Sequence, residues 1–102
     1  MYAIAMIRYR APLDQIEQVT ATHRAYLGSL RDAGVLLASG PLDPRTAGFL
    51  LLRVPDDDPA ALDRIRDGDP YWQHGLVNYE LSRWNPGIGR DDLDRLGDSP
   101  AA

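Results

Sequence analysis

Val35-Leu36-Leu37-Ala38-Ser39-Gly40-Pro41-Leu42-Asp43-Pro44-Arg45-Thr46-Ala47-Gly48-Phe49-Leu50-Leu51-Leu52-Arg53-Val54 is the stretch that decides how this chain folds. It holds two apolar runs, 35–40 and 48–54, parted by a connection containing Pro41 and Pro44. Each run is too short for a helix of ordinary length and is bounded by turn residues, so each reads as a strand. Two strands in succession, with helical patterns on either side, point to a mixed α+β domain rather than a doubly wound one.

Toward the N-terminus, Ile16, Val19, His23, Leu27 and Leu30 recur at helical spacing. They predict a helix over 13–33, opened by Pro12 and stopped by Gly34. Before it, residues 2–10 alternate loosely and read as a first strand. Toward the C-terminus, Asp56-Asp57-Asp58-Pro59 predicts a second helix, with Asp58 as N-cap and Pro59 at the first helical position. Its apolar stripe is Ala61, Leu62 and Ile65. Asp69-Pro70 repeats that grammar and predicts a short helical turn over 70–74. Residues 77–84 alternate and read as the last strand. The order β-α-β-β-α-β is the split βαβ, or ferredoxin-like, arrangement: a four-stranded antiparallel sheet with helices on one face. Asn85-Pro86-Gly87 breaks the pattern. Residues 90–96 are expected to form one or two helical turns, and 98–102 to fray. The domain is thus expected over 1–87, with a tail over 88–102.

Composition removes several kinds of chemistry. The 102 residues are 44% hydrophobic and 25% charged, a folded rather than disordered profile. No apolar run approaches the ~20 residues of a membrane span. The N-terminus lacks a basic lead-in and is interrupted by Arg8 and Arg10, so it reads as a strand and not a signal peptide; a cytoplasmic protein is the expectation. With no cysteine, the chain has no disulfide, thiolate nucleophile or zinc–thiolate site. All 11 basic residues are arginine, which excludes a lysine Schiff base. A net charge of −4 argues against a nucleic-acid partner.

The two apolar runs do not alternate, and strands of that kind are usually buried on both faces. Two principal helices cover only one face of a four-stranded sheet. A second copy of the chain, packed sheet to sheet about a twofold axis, is the expected cover for the other. The alternative is that Arg8, Arg53 and the tail cover it.

His23 interrupts an apolar helical stripe, and a buried imidazole without a partner costs roughly 1–3 kcal/mol. Asp69 is the candidate partner: a carboxylate fixes the ring tautomer and favours the protonated ring. Such a dyad serves as a general acid and base. Each residue also has an ordinary reading, His23 as a core histidine and Asp69 as the cap of the turn at Pro70. Ser39-Gly40-Pro41 closes a strand, where its hydroxyl and backbone N–H are candidates to bind a substrate oxygen. No Gly-x-Ser-x-Gly elbow surrounds Ser39, which argues against a hydrolase nucleophile. Tyr71 and Trp72 are candidate pocket walls. Arg8, on the strand face of Ile4 and Met6, is a candidate ligand for an anionic substrate, or else reaches past the sheet edge. His74 reads as a solvated surface residue. No metal site is expected: the histidines lack ligand spacing, and the carboxylates cluster where helices start. An RNA-binding reading of the fold fails on charge and on the lack of stacking aromatics beyond Phe49.

Several of these segments carry a family resemblance. They are residues 2–9, His23-Arg24-Ala25-Tyr26-Leu27, Gly34 through Ser39-Gly40-Pro41, Asp69-Pro70-Tyr71 followed by Gly75-Leu76, and Arg83-Trp84-Asn85. Together they resemble the YciI-like (YCII-related) family over residues 1 to about 87. The resemblance implies the dimeric α+β barrel fold and a His–Asp site at His23 and Asp69. It also implies that one branch removes chloride from a chlorinated, hydroxylated aromatic ring. It implies no functional role for His74, and the tail beyond Gly87 lies outside it.

The functional expectation is a small cofactor-independent lyase or isomerase, acting on a cyclic or aromatic hydroxy or keto metabolite through the His23–Asp69 dyad. A noncatalytic module binding a small ligand or partner is the alternative, and a cofactor-free oxygenase a further one.

Overall fold

The computed structural model describes residues 1–98. β1 (Tyr2–Tyr9) pairs on one side with β3 (Ala47–Arg53) and on the other with β4 (Val77–Trp84). β2 (Leu36–Pro41) continues the sheet beyond β3, giving the order β2-β3-β1-β4 with every pair antiparallel. α1 (Leu13–Asp32), α2 (Ala61–Gly68) and α3 (Pro70–Gln73) fill the crossovers, and α4 (Arg90–Asp98) follows the last strand. This is the ferredoxin-like α+β arrangement. Asp98, the first residue expected to fray, ends α4 instead, and the rest of that stretch, 99–102, lies outside the described residues.

β1 settles which face takes the helices. Ala3 and Ala5 are fully buried and Ile7 is 1% exposed, whereas Ile4 and Met6 between them are half-buried. Small side chains at 3 and 5 let helices pack close to the strand, so the core grows on that face. Pairing carries the choice across the sheet: Ala3 faces Leu52 and Ala5 faces Leu50, both buried. Ile16 and Leu27 of α1 and Leu62 and Ile65 of α2 join this cluster. Fully burying a side chain such as Ile16 is worth roughly 1.5–3 kcal/mol.

α1 begins after Pro12, whose carbonyl accepts from the amides of Gln15 and Ile16. It ends as expected at Gly34, whose φ of 78° lets the chain turn back while the Val35 amide bonds to the Leu30 carbonyl at 2.9 Å. α2 departs from the expected start. It opens at Ala61, with Ala60 and not Asp58 at the cap position and no side-chain cap. The Asp58 carboxylate instead pairs with Arg64, and its carbonyl closes a turn on the Ala61 amide.

β2 carries a bulge. Leu36 pairs with Leu52, but Ala38 pairs with Leu51, so one extra residue sits between them. The slip reverses the alternation, and Ser39, not Ala38, lies opposite Leu50 on the helix side.

The other sheet face is open at its centre, where Ile4, Met6, Phe49 and Leu51 are each half-buried. α4 covers one end of it. The Tyr2 hydroxyl donates to Asp94 at 2.6 Å, and Arg53 donates to the Asp94 carbonyl at 3.4 Å. Among the described residues, no helix is long and apolar enough to cross a membrane.

Candidate active site

Asp69 is fully buried, and each of its two carboxylate oxygens is met by at least one donor. Oδ1 accepts from His23 Nδ1 at 2.8 Å and from the Tyr71 amide at 2.9 Å. Oδ2 accepts from the Tyr79 hydroxyl. The three donors come from α1, α3 and β4, so the carboxylate ties the three elements together. The expected cap and the expected ionic partner of His23 are therefore not alternatives: one oxygen does both.

This geometry fixes the imidazole. A carboxylate oxygen only accepts, so Nδ1 carries a hydrogen, and in the neutral ring Nε2 is the nitrogen left with a lone pair. Tyr71 stacks on the ring at 3.9 Å between centroids and 12° between planes. The Tyr71 hydroxyl shares a 2.7 Å hydrogen bond with Thr20 Oγ1, one turn before His23 on α1. Nε2 has no partner among the described residues, and no buried side-chain nitrogen or oxygen there lacks one. Nε2 therefore reaches open volume.

That volume is a cavity of about 520 Å³ between α1 and the β2 side of the sheet. His23, Tyr71, Ser39, Gly40 and Pro41 line it. Ile7, Leu27 and Leu50 give it apolar wall, as small-molecule sites usually have. Arg24, Arg31 and Arg45 also line it. Arg45 lies over the Tyr9 ring, 6.0 Å from its centroid, and donates to the Tyr9 hydroxyl at 3.4 Å and to Thr20 Oγ1 at 3.5 Å. The Tyr9 hydrogen bond is the first cause that pushes its already high pKa higher, against the opposing effect of burial.

Arg8 and Trp72 do not line the cavity. Arg8 lies on the open sheet face with Ile4 and Met6 and pairs with Glu80 at 2.9 Å. The alternation that turns Ala3, Ala5 and Ile7 to the helices necessarily turns Arg8 away. Trp72 is 38% exposed, with the Arg66 guanidinium 5.0 Å from its ring centroid and the edge of Tyr79 against it. His74 is exposed, as its polar setting suggested.

Thr20, Tyr79, Arg24, Arg31 and Arg45 were not picked out from the sequence. Thr20 had a signal, three residues before His23 on the same helical face. Tyr79 had a weaker one, a polar-tipped residue on an inward strand position. Arg45 had none, because it sits in a turn. Burial is the main cause that pushes the Tyr79 phenol far above its usual range, and the Asp69 charge adds to it. Tyr79 thus stays protonated and is a permanent donor to Asp69.

No group of three or more His, Cys, Asp or Glu side chains suited to hold a metal occurs among the described residues. The arrangement is chemically that of a small α+β domain with one carboxylate-held imidazole facing an open-mouthed cavity. The chain belongs to the YCII-related domain family, whose model matches residues 1–85. No curated protein matches it. A solved structure with the same fold is 5-chloro-2-hydroxyhydroquinone dehydrochlorinase (TftG) from Burkholderia phenoliruptrix AC1100, in complex with 2,5-dihydroxybenzoquinone. The two align with a TM-score of 0.71 at 23% identity, over 85% of this chain and 96% of that one.

Proposed function

We propose that this protein is a cofactor-independent lyase or isomerase that uses His23 Nε2 as its proton-transfer group on a hydroxylated cyclic or aromatic metabolite. The observation that carries the reading is the fully buried Asp69, bonded to His23 Nδ1 at 2.8 Å while Nε2 reaches the cavity. A buried polar pair is a poor device for stability alone, since apolar replacements of equal size usually do as well. Its value is an imidazole of fixed tautomer and orientation.

On this reading Nε2 takes a proton from a ring hydroxyl or from a carbon beside a carbonyl. The Asp69 carboxylate stabilises the imidazolium that forms, and the same proton is returned elsewhere on the ring. Where the carbon that receives the proton carries a leaving group such as chloride, a second ring hydroxyl then gives up its proton while the chloride departs with its bonding electrons, so the net loss is HCl with no external oxidant. The family membership and the shared fold of the dehydrochlorinase support this class of reaction. General acid–base help of this kind is typically worth about 10²–10⁴-fold.

The reading includes a homodimer joined through the open sheet face. The half-buried Ile4, Met6, Phe49 and Leu51 at its centre support it, since α4 covers only the Tyr2–Arg53 end.

The test is turnover of a panel of chlorinated and unchlorinated hydroxyhydroquinones and cyclic keto acids. It follows chloride release and deuterium uptake from solvent by NMR. Activity that disappears in His23→Gln while the fold is kept supports the proposal. Full activity in His23→Gln would overturn it. Tight binding of a panel member with no turnover would favour the binding-module reading.

A further inference from the structure

The cavity is more basic than the protein that surrounds it. The chain carries a net charge of −4, yet none of the residues lining the cavity is Asp or Glu, and three are arginines. Arg45 is already engaged, by Tyr9, by Thr20 and by Glu17 at 3.7 Å. Arg24 and Arg31 are different: both are exposed, and neither guanidinium has a hydrogen bond or ion pair among the described residues.

Gly28 lies between them on α1, four residues after Arg24 and three before Arg31, and also lines the cavity. Those spacings put all three on one side of the helix. Glycine inside a helix costs about 1 kcal/mol relative to alanine. No close packing accounts for it here, because a Cβ at 28 would meet no atom within 4 Å. Gly28 leaves a gap in the cavity wall, flanked by two guanidinium groups without partners, one of them adjacent in sequence to His23.

We infer that the substrate of this site carries a carboxylate, which lodges over Gly28 between Arg24 and Arg31 while its ring meets His23. This rests on the proposed reading of the cavity as a substrate site and adds the substrate's chemical class. Two planar guanidinium forks match a carboxylate's paired oxygens. They also offset the charge cost of bringing an anion beside Asp69. A neutral polyphenol would leave both arginines idle.

The probes are 2,5-dihydroxybenzoate and its methyl ester, which differ only in the acid, titrated into the full-length protein by calorimetry. The acid is expected to bind at least about tenfold tighter, and raised salt to narrow the gap. Arg24→Gln and Arg31→Gln should each remove most of the preference, and Gly28→Gln should block the acid more than the ester. Both arginines are exposed, so the fold should survive, which circular dichroism checks. His23→Gln separates this inference from the function on which it rests. An acid preference kept in His23→Gln supports the anion site whether or not His23 is catalytic. Equal binding of acid and ester, no binding of either, or a preference unchanged in the Arg24→Gln/Arg31→Gln double variant would overturn the anion site and leave the dyad reading standing.

Discussion

Asp69 Oδ1 holds His23 Nδ1 at 2.8 Å and, with the same atom, caps α3 through the Tyr71 amide at 2.9 Å. The position of the imidazole is therefore set by the start of a four-residue helix, and the two roles can be separated by substitution. Asparagine caps helices about as well as aspartate. Asp69→Asn should lower stability by only about 1–2 kcal/mol. It should cut turnover by about 10²-fold or more, because it removes the charge that opposes the imidazolium. Asp69→Ala strands three donors and should cost about 3 kcal/mol or more. Urea denaturation beside turnover checks both. Unchanged turnover in a folded Asp69→Asn would leave Asp69 as a cap only.

Tyr79 gives a pH signature. Its phenol is raised by burial and by the Asp69 charge, so the folded chain holds that proton where the unfolded chain, with a tyrosine near pH 10, releases it. The unfolded state then binds fewer protons, and stability falls as pH rises above about 10. Below that pH the contribution is fully present. Tyr79→Phe should flatten this alkaline limb and cost about 1–3 kcal/mol at neutral pH, since Asp69 Oδ2 loses its donor. Urea midpoints between pH 7 and 11 measure both. An alkaline limb of the same slope in Tyr79→Phe would count against the assignment.

Gly68 is held by a steric limit. A Cβ there would lie 2.7 Å from the Tyr26 hydroxyl and 2.9 Å from the ring, which is anchored by a 2.7 Å bond to the Ile65 carbonyl. Gly68→Ala should therefore destabilise by about 1–3 kcal/mol, despite alanine's better helix propensity. Adding Tyr26→Leu should recover part of the loss. Additive losses in this double-mutant cycle would show that the clash is not the cause.

The open sheet face carries the assembly prediction. Multi-angle light scattering should give twice the 11.3 kDa chain mass at micromolar concentration. Met6→Arg or Phe49→Asp should halve it, because each buries a charge at the expected interface. A monomeric wild-type chain would remove the argument.

His74 and Asp58 mark two different kinds of reading from sequence. His74 was correctly placed at the surface because its neighbours are polar, a purely local fact. Asp58 was misread as a cap because its choice between capping and pairing with Arg64 depends on where α2 begins. The start of α3 was readable because Asp69-Pro70 satisfies the cap by itself.

The sequence by itself determined the order of elements and the helix stop at Gly34, which depend on periodicity and on a backbone restriction; His23 and Asp69 stood out singly, and the family resemblance named them as one site. Only the tertiary structure decided which side chains meet. β1 is apolar on both faces, so nothing local said that Ala3 and Ala5 would take the helices and send Arg8 outward. The extra residue in β2 turned Ser39 to the helix side, and a one-residue slip leaves no mark in an apolar run. Tyr79 and Arg45 reach the site from a strand and a turn far from His23 in the chain. Register and packing, which are long-range, set those contacts, and no local pattern of residues encodes them.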